Sequence, residues 1–307
     1  MKLVSFGPPG AEEPGVLVRP DAILPLRHSH GLPAGGWGEI LSRWPSAEPL
    51  VRSAVDGYAD HELVPLAETR LGPPVPRPGT VIAIGFNYAA HGDEVLGAAR
   101  PAGEPIVFLK PASSVCGPGD AIVCPPETRQ LDYEVELAVV IGRGGQRIPR
   151  AEALEHVAGY LIANDVTARD IAFGAGAEHP LLFQIARAKG SPSFCPTGPW
   201  LVTPDEFDPA DAGLRLWVNG ELRQHGSTAG MAVGVAELIA SVSRSMALRP
   251  GDLLLTGTPP GCGFQLDPPR FLADGDLVEA EIDGLGRMRS PVISEPVAVA
   301  HPPLERI

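Results

Sequence analysis

Three carboxylates stand at every second position of the stretch LDYEVELAVV: Asp132, Glu134 and Glu136. Tyr133, Val135, Leu137, Val139 and Val140 favour extended backbone, so the stretch reads as a strand. Side chains alternate across a strand, which puts the three acids on one face. On a solvated face such crowding needs no special reason. The LAVVIG that follows, however, is too apolar for a strand with one wet face, and a second acidic cluster, NDVTARD, places Asp165 directly after GYLIA. Carboxylates that converge in a partly buried place need a cation. No His or Cys adjoins them, so oxygen donors alone point to a hard ion: Mg²⁺, Mn²⁺ or Ca²⁺. Three carboxylates around a divalent ion leave a net charge near −1 and about three open coordination positions for a reacting molecule.

Other polar residues add chemistry. His91 and Glu94 in NYAAHGDEV are one helical turn apart and can hydrogen-bond. A carboxylate that holds a His fixes its tautomer and raises its basicity. Lys110 in VFLKP and Lys189 in RAKGSP lie in apolar or turn-rich settings; either one alone reads as a lysine laying its stem along apolar surface. Three Gly-rich runs carry no nucleotide signature. TGTPPGCG lacks the Lys-Ser/Thr of a phosphate loop, IGRGGQ precedes no helix, and AIGFNYAAHG lacks G-x-G-x-x-G. There is no G-x-S-x-G elbow to support a serine hydrolase.

The elements that must position these residues are mostly strands. Residues 1–75 read as a small N-terminal domain, with strands in KLVSFG and GVLVRPDAILPL and a helical turn or two in GWGEILSRW. A stiff Pro-rich linker, LGPPVPRPG, leads into the buried-type strand TVIAIGF. PIVFLKP is a strand, YEVELAVVIG is a strand ended by a hairpin turn at RGGQRI, and LRLWVNGELRQ is a hairpin around Asn219-Gly220. Amphipathic patterns predict helices over PRAEALEHVAGYLIAN and GVAELIASVSRSMALRPGD, the latter stopped before Pro250. With no βαβ alternation and no internal repeat, the class is α+β and β-rich.

The formal net charge of −13 argues against nucleic acid or an anionic membrane as the main partner. No apolar run approaches a membrane span, and the N-terminus does not read as a signal peptide. The four cysteines form no C-x-x-C pair, which fits reduced thiols and a cytoplasmic location.

In the order GFNYAAHGDE, FLKP, LDYEVELAVVIG, NDVTARD, RAKG…FCPTGPW and LRPGDLLLTGTPPGCG, the chain resembles the fumarylacetoacetate hydrolase family over roughly residues 76 to 292. The resemblance implies that family's mixed β-sandwich roll as a catalytic domain at 76–300, usually in a homodimer. It implies Mg²⁺ or Mn²⁺ held by Glu134, Glu136 and Asp165, with Ca²⁺ also compatible. His91 and Glu94 match the catalytic pair, Lys189 the active-site lysine, and Arg169, Lys110 and Thr258 positions near the substrate. Asp132 shares the strand face without a ligand position, which leaves it beside the site or on the surface. The implied activity is hydrolytic carbon–carbon cleavage of a 2,4-dioxo acid. Oxaloacetate decarboxylation, isomerisation of the 2-hydroxyhepta-2,4-diene-1,7-dioate type, and a degenerate acid-binding homologue are the alternatives. The chain departs from its relatives at Ala172, where Gln is common, at Pro192, where Asp is common, and in a longer segment between Asp170 and Lys189 that contains His179.

Overall fold

The computed structural model describes residues 1–27, 31–89, 104–174 and 183–295. Seven strands of its large sheet matter for the site: Lys2–Phe6 (β1), Val81–Gly85 (β2), Ile106–Lys110 (β3), Val135–Ile141 (β4), Val157–Asn164 (β5), Cys195–Val202 (β6) and Leu253–Leu255 (β7). Among the described residues the α-helices are Gly36–Ser42 (α1), Trp44–Gly57 (α2), Arg169–Ala172 (α3), Ile185–Ala188 (α4) and Val235–Ser245 (α5). The strands lie in the order β1-β6-β5-β4-β7-β2-β3. Beyond β1 the same sheet continues through Glu13–Arg19, Ala22–Pro25 and Val64–Pro65. The N-terminal strands therefore extend the sheet of the remainder, joined through Lys2↔Val202 and Leu3↔Leu201.

Both faces of this sheet are covered, which is why β4 reads as a continuous apolar run. Val135, Leu137, Val139 and Ile141 point to one face, against Leu238, Ile239 and Val242 of α5 and the inner residues of a second sheet. Ala138 and Val140 point to the other, in a cluster with Trp37, Ile40 and Leu41 of α1 and Trp44 of α2. The second sheet has five strands, in the order Glu221–Ser227, Gly213–Val218, Leu277–Ile282, Gly286–Ser294 and Ile122–Cys124. Two of them, Gly213–Val218 and Leu277–Ile282, alternate strictly between buried and half-exposed residues, as expected where one face meets solvent. The hairpin expected at Asn219-Gly220 is present, with φ of 52° and 78° at its two turn residues. Strands predominate among the described elements, so the chain is α+β and β-rich.

Two local expectations fail. The helix predicted over PRAEALEHVAGYLIAN is a 3₁₀ turn, Arg150–His156, followed by β5. β5 is buried at every position and hydrogen-bonded on both edges, to β4 and β6. Ladder bonds on two sides, with Val, Tyr, Leu and Ile at its centre, outcompete the helical periodicity. RGGQRI is likewise no tight hairpin turn: β4 and β5 are antiparallel neighbours, but residues 142–156 connect them. The acidic stretch is also two pieces. Leu131–Asp132 pairs with Thr167–Ala168, the backbone breaks at Tyr133 and Glu134, and β4 begins at Val135. Among the described residues no helix is long and apolar enough to cross a membrane.

Candidate metal centre and active site

Glu136 lies on β4, Glu134 just before it, and Asp165 just after β5. Because Val135 pairs with Asn164, the two strand ends stand level. Asp165 N donates to Glu134 O at 2.8 Å, and Glu134 N donates to Asn164 Oδ1 at 2.9 Å. These bonds fix the backbone from which the acids project. Each of the three buried carboxylates offers an oxygen within 4.8 Å of the others.

Buried cations surround them. Lys189, directly after α4, places Nζ 2.8 Å from Glu134 Oε2 and 2.5 Å from Asp165 Oδ2. Lys110 Nζ lies 2.6 Å from Asp165 Oδ1 and donates to the Lys189 carbonyl at 2.7 Å. Lys110 belongs to β3, four places from β5 in the sheet order, a distance of roughly 19 Å were the sheet flat. Contact between them requires a sheet rolled until its edge returns over the triad. Arg169, at the start of α3, donates from Nε to Asp132 Oδ2 at 2.8 Å and from Nη2 to Glu134 Oε1 at 2.5 Å. Asp132 is fully buried and also accepts from the backbone N–H of Gly263 at 2.7 Å and of Tyr133 at 2.9 Å. It positions the arginine that holds Glu134.

The ionic count leaves one acid over. Four carboxylates (Asp132, Glu134, Glu136, Asp165) face three cations (Lys110, Arg169, Lys189). Of these four acids Glu136 makes no close ion pair among the described residues; it accepts from Gly257 N at 2.7 Å. Burial, and then the neighbouring Asp165 and Glu134, push its carboxyl well above the usual carboxylate range. Burial alone would lower the Lys189 ammonium, but Asp165 and Glu134 outweigh it and hold it above the ordinary lysine value.

The residues fit a divalent cation. The donors are all carboxylate oxygens, as a hard ion prefers. Asp165 Oδ1 is buried and meets the Lys110 ammonium at 2.6 Å.

The triad forms the floor of a cavity of about 270 Å³ whose lining includes Arg169, Lys189, Thr167 and Thr258 together with apolar side chains. Thr258, expected near the substrate, does line it, but its hydroxyl already donates to Val135 O and accepts from Gln224 Nε2. His91 and Glu94, the expected catalytic pair, lie outside the described residues, as does His179.

Several contributors had no sequence signal. Buried Gln224 bonds both Val135 N and Thr258. Buried Asn87 bonds Thr256 O and Val233, fixing the exit of β2. Phe86, just before it, takes a left-handed backbone with φ of 53°. Phe264 stacks under the Arg169 guanidinium at 4.1 Å. Only Phe86 and Asn87, both in GFNYA, stood inside a recognisable motif.

Comparison with known proteins gives a consistent answer. Residues 80–293 match the family model of the fumarylacetoacetate (FAA) hydrolase C-terminal domain. The mitochondrial oxaloacetate tautomerase Fahd2a of Rattus norvegicus is 39% identical over 297 residues, spanning 95% of this chain and 92% of that protein. The solved fumarylacetoacetate hydrolase of Exiguobacterium antarcticum is 38% identical, with a TM-score of 0.78, over 96% of this chain and 100% of that one. The maleylpyruvate hydrolase of Sphingobium sp. SYK-6, solved with manganese(II) and pyruvate, is 31% identical with a TM-score of 0.77, again over 96% and 100%.

Proposed function

This chain belongs to the fumarylacetoacetate hydrolase family, and from that premise we propose that it is a divalent-metal-dependent enzyme that cleaves the C3–C4 bond of a 2,4-dioxo acid by hydrolysis. The observation that carries the reading is the buried triad of Glu134, Glu136 and Asp165 with Lys189 beside it at the floor of a small cavity. Mg²⁺ or Mn²⁺ bound there would supply the positive charge that an enolate needs as it forms.

The chain's own groups perform the rest. In this reading the pair His91 and Glu94 takes a proton from water, and the water oxygen bonds to C4. The electron pair of the C3–C4 bond passes to C3, which takes up a proton to give pyruvate, while C4 leaves as a carboxylic acid. Lys189 adds positive charge beside the enolate oxygen, and Arg169 holds Glu134 in place. The apolar walls exclude bulk water, which strengthens these charge interactions. A homodimer is the assembly we propose with it.

Tautomerisation of an oxaloacetate-type acid is the second reading, favoured by the rat relative named above. It uses the same enolate and moves a proton without breaking a carbon–carbon bond.

The test is Mn²⁺-dependent release of pyruvate from acetylpyruvate by the intact protein, beside a direct Mn²⁺ titration. Glu136→Gln is expected to lose both, by about 1,000-fold in rate, a loss of about 4 kcal/mol of transition-state stabilisation. A variant with the wild-type rate would overturn the metal assignment. Conversion of enol- to keto-oxaloacetate without pyruvate release from any acylpyruvate would select the tautomerase reading.

A further inference from the structure

Away from the triad the cavity changes character. Its outer lining carries Phe86, Phe173, Phe183 and Phe264, with Ile106 and Ile185. Phe173 and Phe183 face each other with ring centroids 5.5 Å apart, and Phe173 lies 6.2 Å from Phe264. Such offsets are the normal geometry of aromatic contact, and a further ring added to the group would find the same geometry. Phe173 is 49% exposed and Phe183 41%, so these rings still present open apolar surface at the mouth of the cavity. Phe264 ties this rim to the floor, because its other neighbour is the Arg169 guanidinium.

The charge distribution says what kind of group fits. Arg169 and Lys189 are the cations among the described lining residues, and both are already paired with floor carboxylates. Among the described lining residues the cation beside the aromatic group is Arg169, which stacks on Phe264 and is already paired with Asp132 and Glu134. A second carboxylate on the substrate would lose its hydration there without a partner. A flat apolar group would lose nothing and gain ring contacts.

We propose that Phe173, Phe183 and Phe264 form a subsite for a flat apolar group, an aryl ring above all, at the end of a 2-oxo acid remote from its carboxylate. The subsite rests on the metal-held oxo-acid reading and adds the substrate class to it. The enzyme then acts on aroylpyruvate-type acids in preference to oxo acids with a second carboxylate. α3 and α4 set the two rim phenylalanines: Phe173 follows α3 directly and Phe183 lies two residues before α4. Both belong to the segment between Asp170 and Lys189.

Unreactive oxamates test the proposal by calorimetry on the full-length Mn²⁺-loaded protein. Oxamate presents only the chelating end, N-phenyloxamate adds a ring, and N-oxalylglycine adds a carboxylate. N-phenyloxamate is expected to bind about three- to tenfold more tightly than oxamate, the worth of one aromatic contact. N-oxalylglycine is expected to bind no more tightly than oxamate. Phe173→Ala and Phe183→Ala, both at exposed positions, are each expected to pull the phenyl-to-oxamate ratio towards one. An affinity for N-oxalylglycine equal to or better than that for N-phenyloxamate, or a ratio unchanged in both variants, would overturn the subsite while leaving the metal reading intact. Absence of Mn²⁺-dependent oxamate binding would remove the metal reading and the subsite together.

Discussion

The floor and the rim of the cavity belong to one chain but rest on different physics. On the floor, four carboxylates and three cations interlock, and none of the seven residues is more than 6% exposed. Removing one of the three cations leaves the buried carboxylates further in excess. On the rim, rings meet rings and solvent. Nothing there depends on a unique partner, so a ring can be exchanged for another apolar group without leaving a charge uncovered. The contrast teaches where each property resides. On the proposed function, enolate chemistry would belong to the floor, which tolerates little change, and choice among substrates to the rim, which tolerates much.

The comparison can be broken most severely at Lys110. Its side chain is fully buried against Asp165. Lys110→Met should destabilise the metal-free protein by about 3–5 kcal/mol in urea unfolding, as loss of one partner from a buried pair does. Mn²⁺ should restore part of that, because a second cation then reaches Asp165. A loss below about 1 kcal/mol would mean that the floor is less interdependent than its geometry indicates.

Asp132→Asn comes next. The amide keeps an acceptor for Gly263 but loses the charge that anchors Arg169, so Mn²⁺ affinity should fall about 10- to 100-fold, measured by titration. Undiminished affinity would show that Arg169 holds Glu134 without help from Asp132. The smallest effect is expected at the rim. Phe183→Ala should change the unfolding free energy of the metal-free protein by about 1 kcal/mol or less. A larger loss would place Phe183 among core residues and erase the distinction between the two regions.

The sequence exposed the floor far better than the rim, for physical reasons. Glu134 and Glu136 are two apart, so strand periodicity alone puts them on one side, and Asp165 follows an apolar run that ends level with them. That much is local. The pairing of Lys110 with Asp165 depends on the curvature of a whole sheet, which no short stretch encodes. Asp132 was legible as an acid but not as an anchor, because its partners Gly263 and Arg169 are distant in the chain. The rim depends on contacts among Phe173, Phe183 and Phe264, where spacing carries no signal. β5 was misread for a related reason: its burial comes from neighbours on both edges, whereas its sequence alone also satisfies a helical pattern.

The level pairing of Val135 with Asn164 has one more consequence. Adjacent strands lie about 4.8 Å apart, and the triad's oxygens lie within 4.8 Å of one another. A slip of one residue along β4 would turn both glutamates towards the side now occupied by Leu137 and Val139, away from Asp165. A sheet assembled out of step could not coordinate the ion, and an ion that binds only the correct pairing draws the population towards it. A metal bound there would thereby proofread the alignment of the strands that hold it.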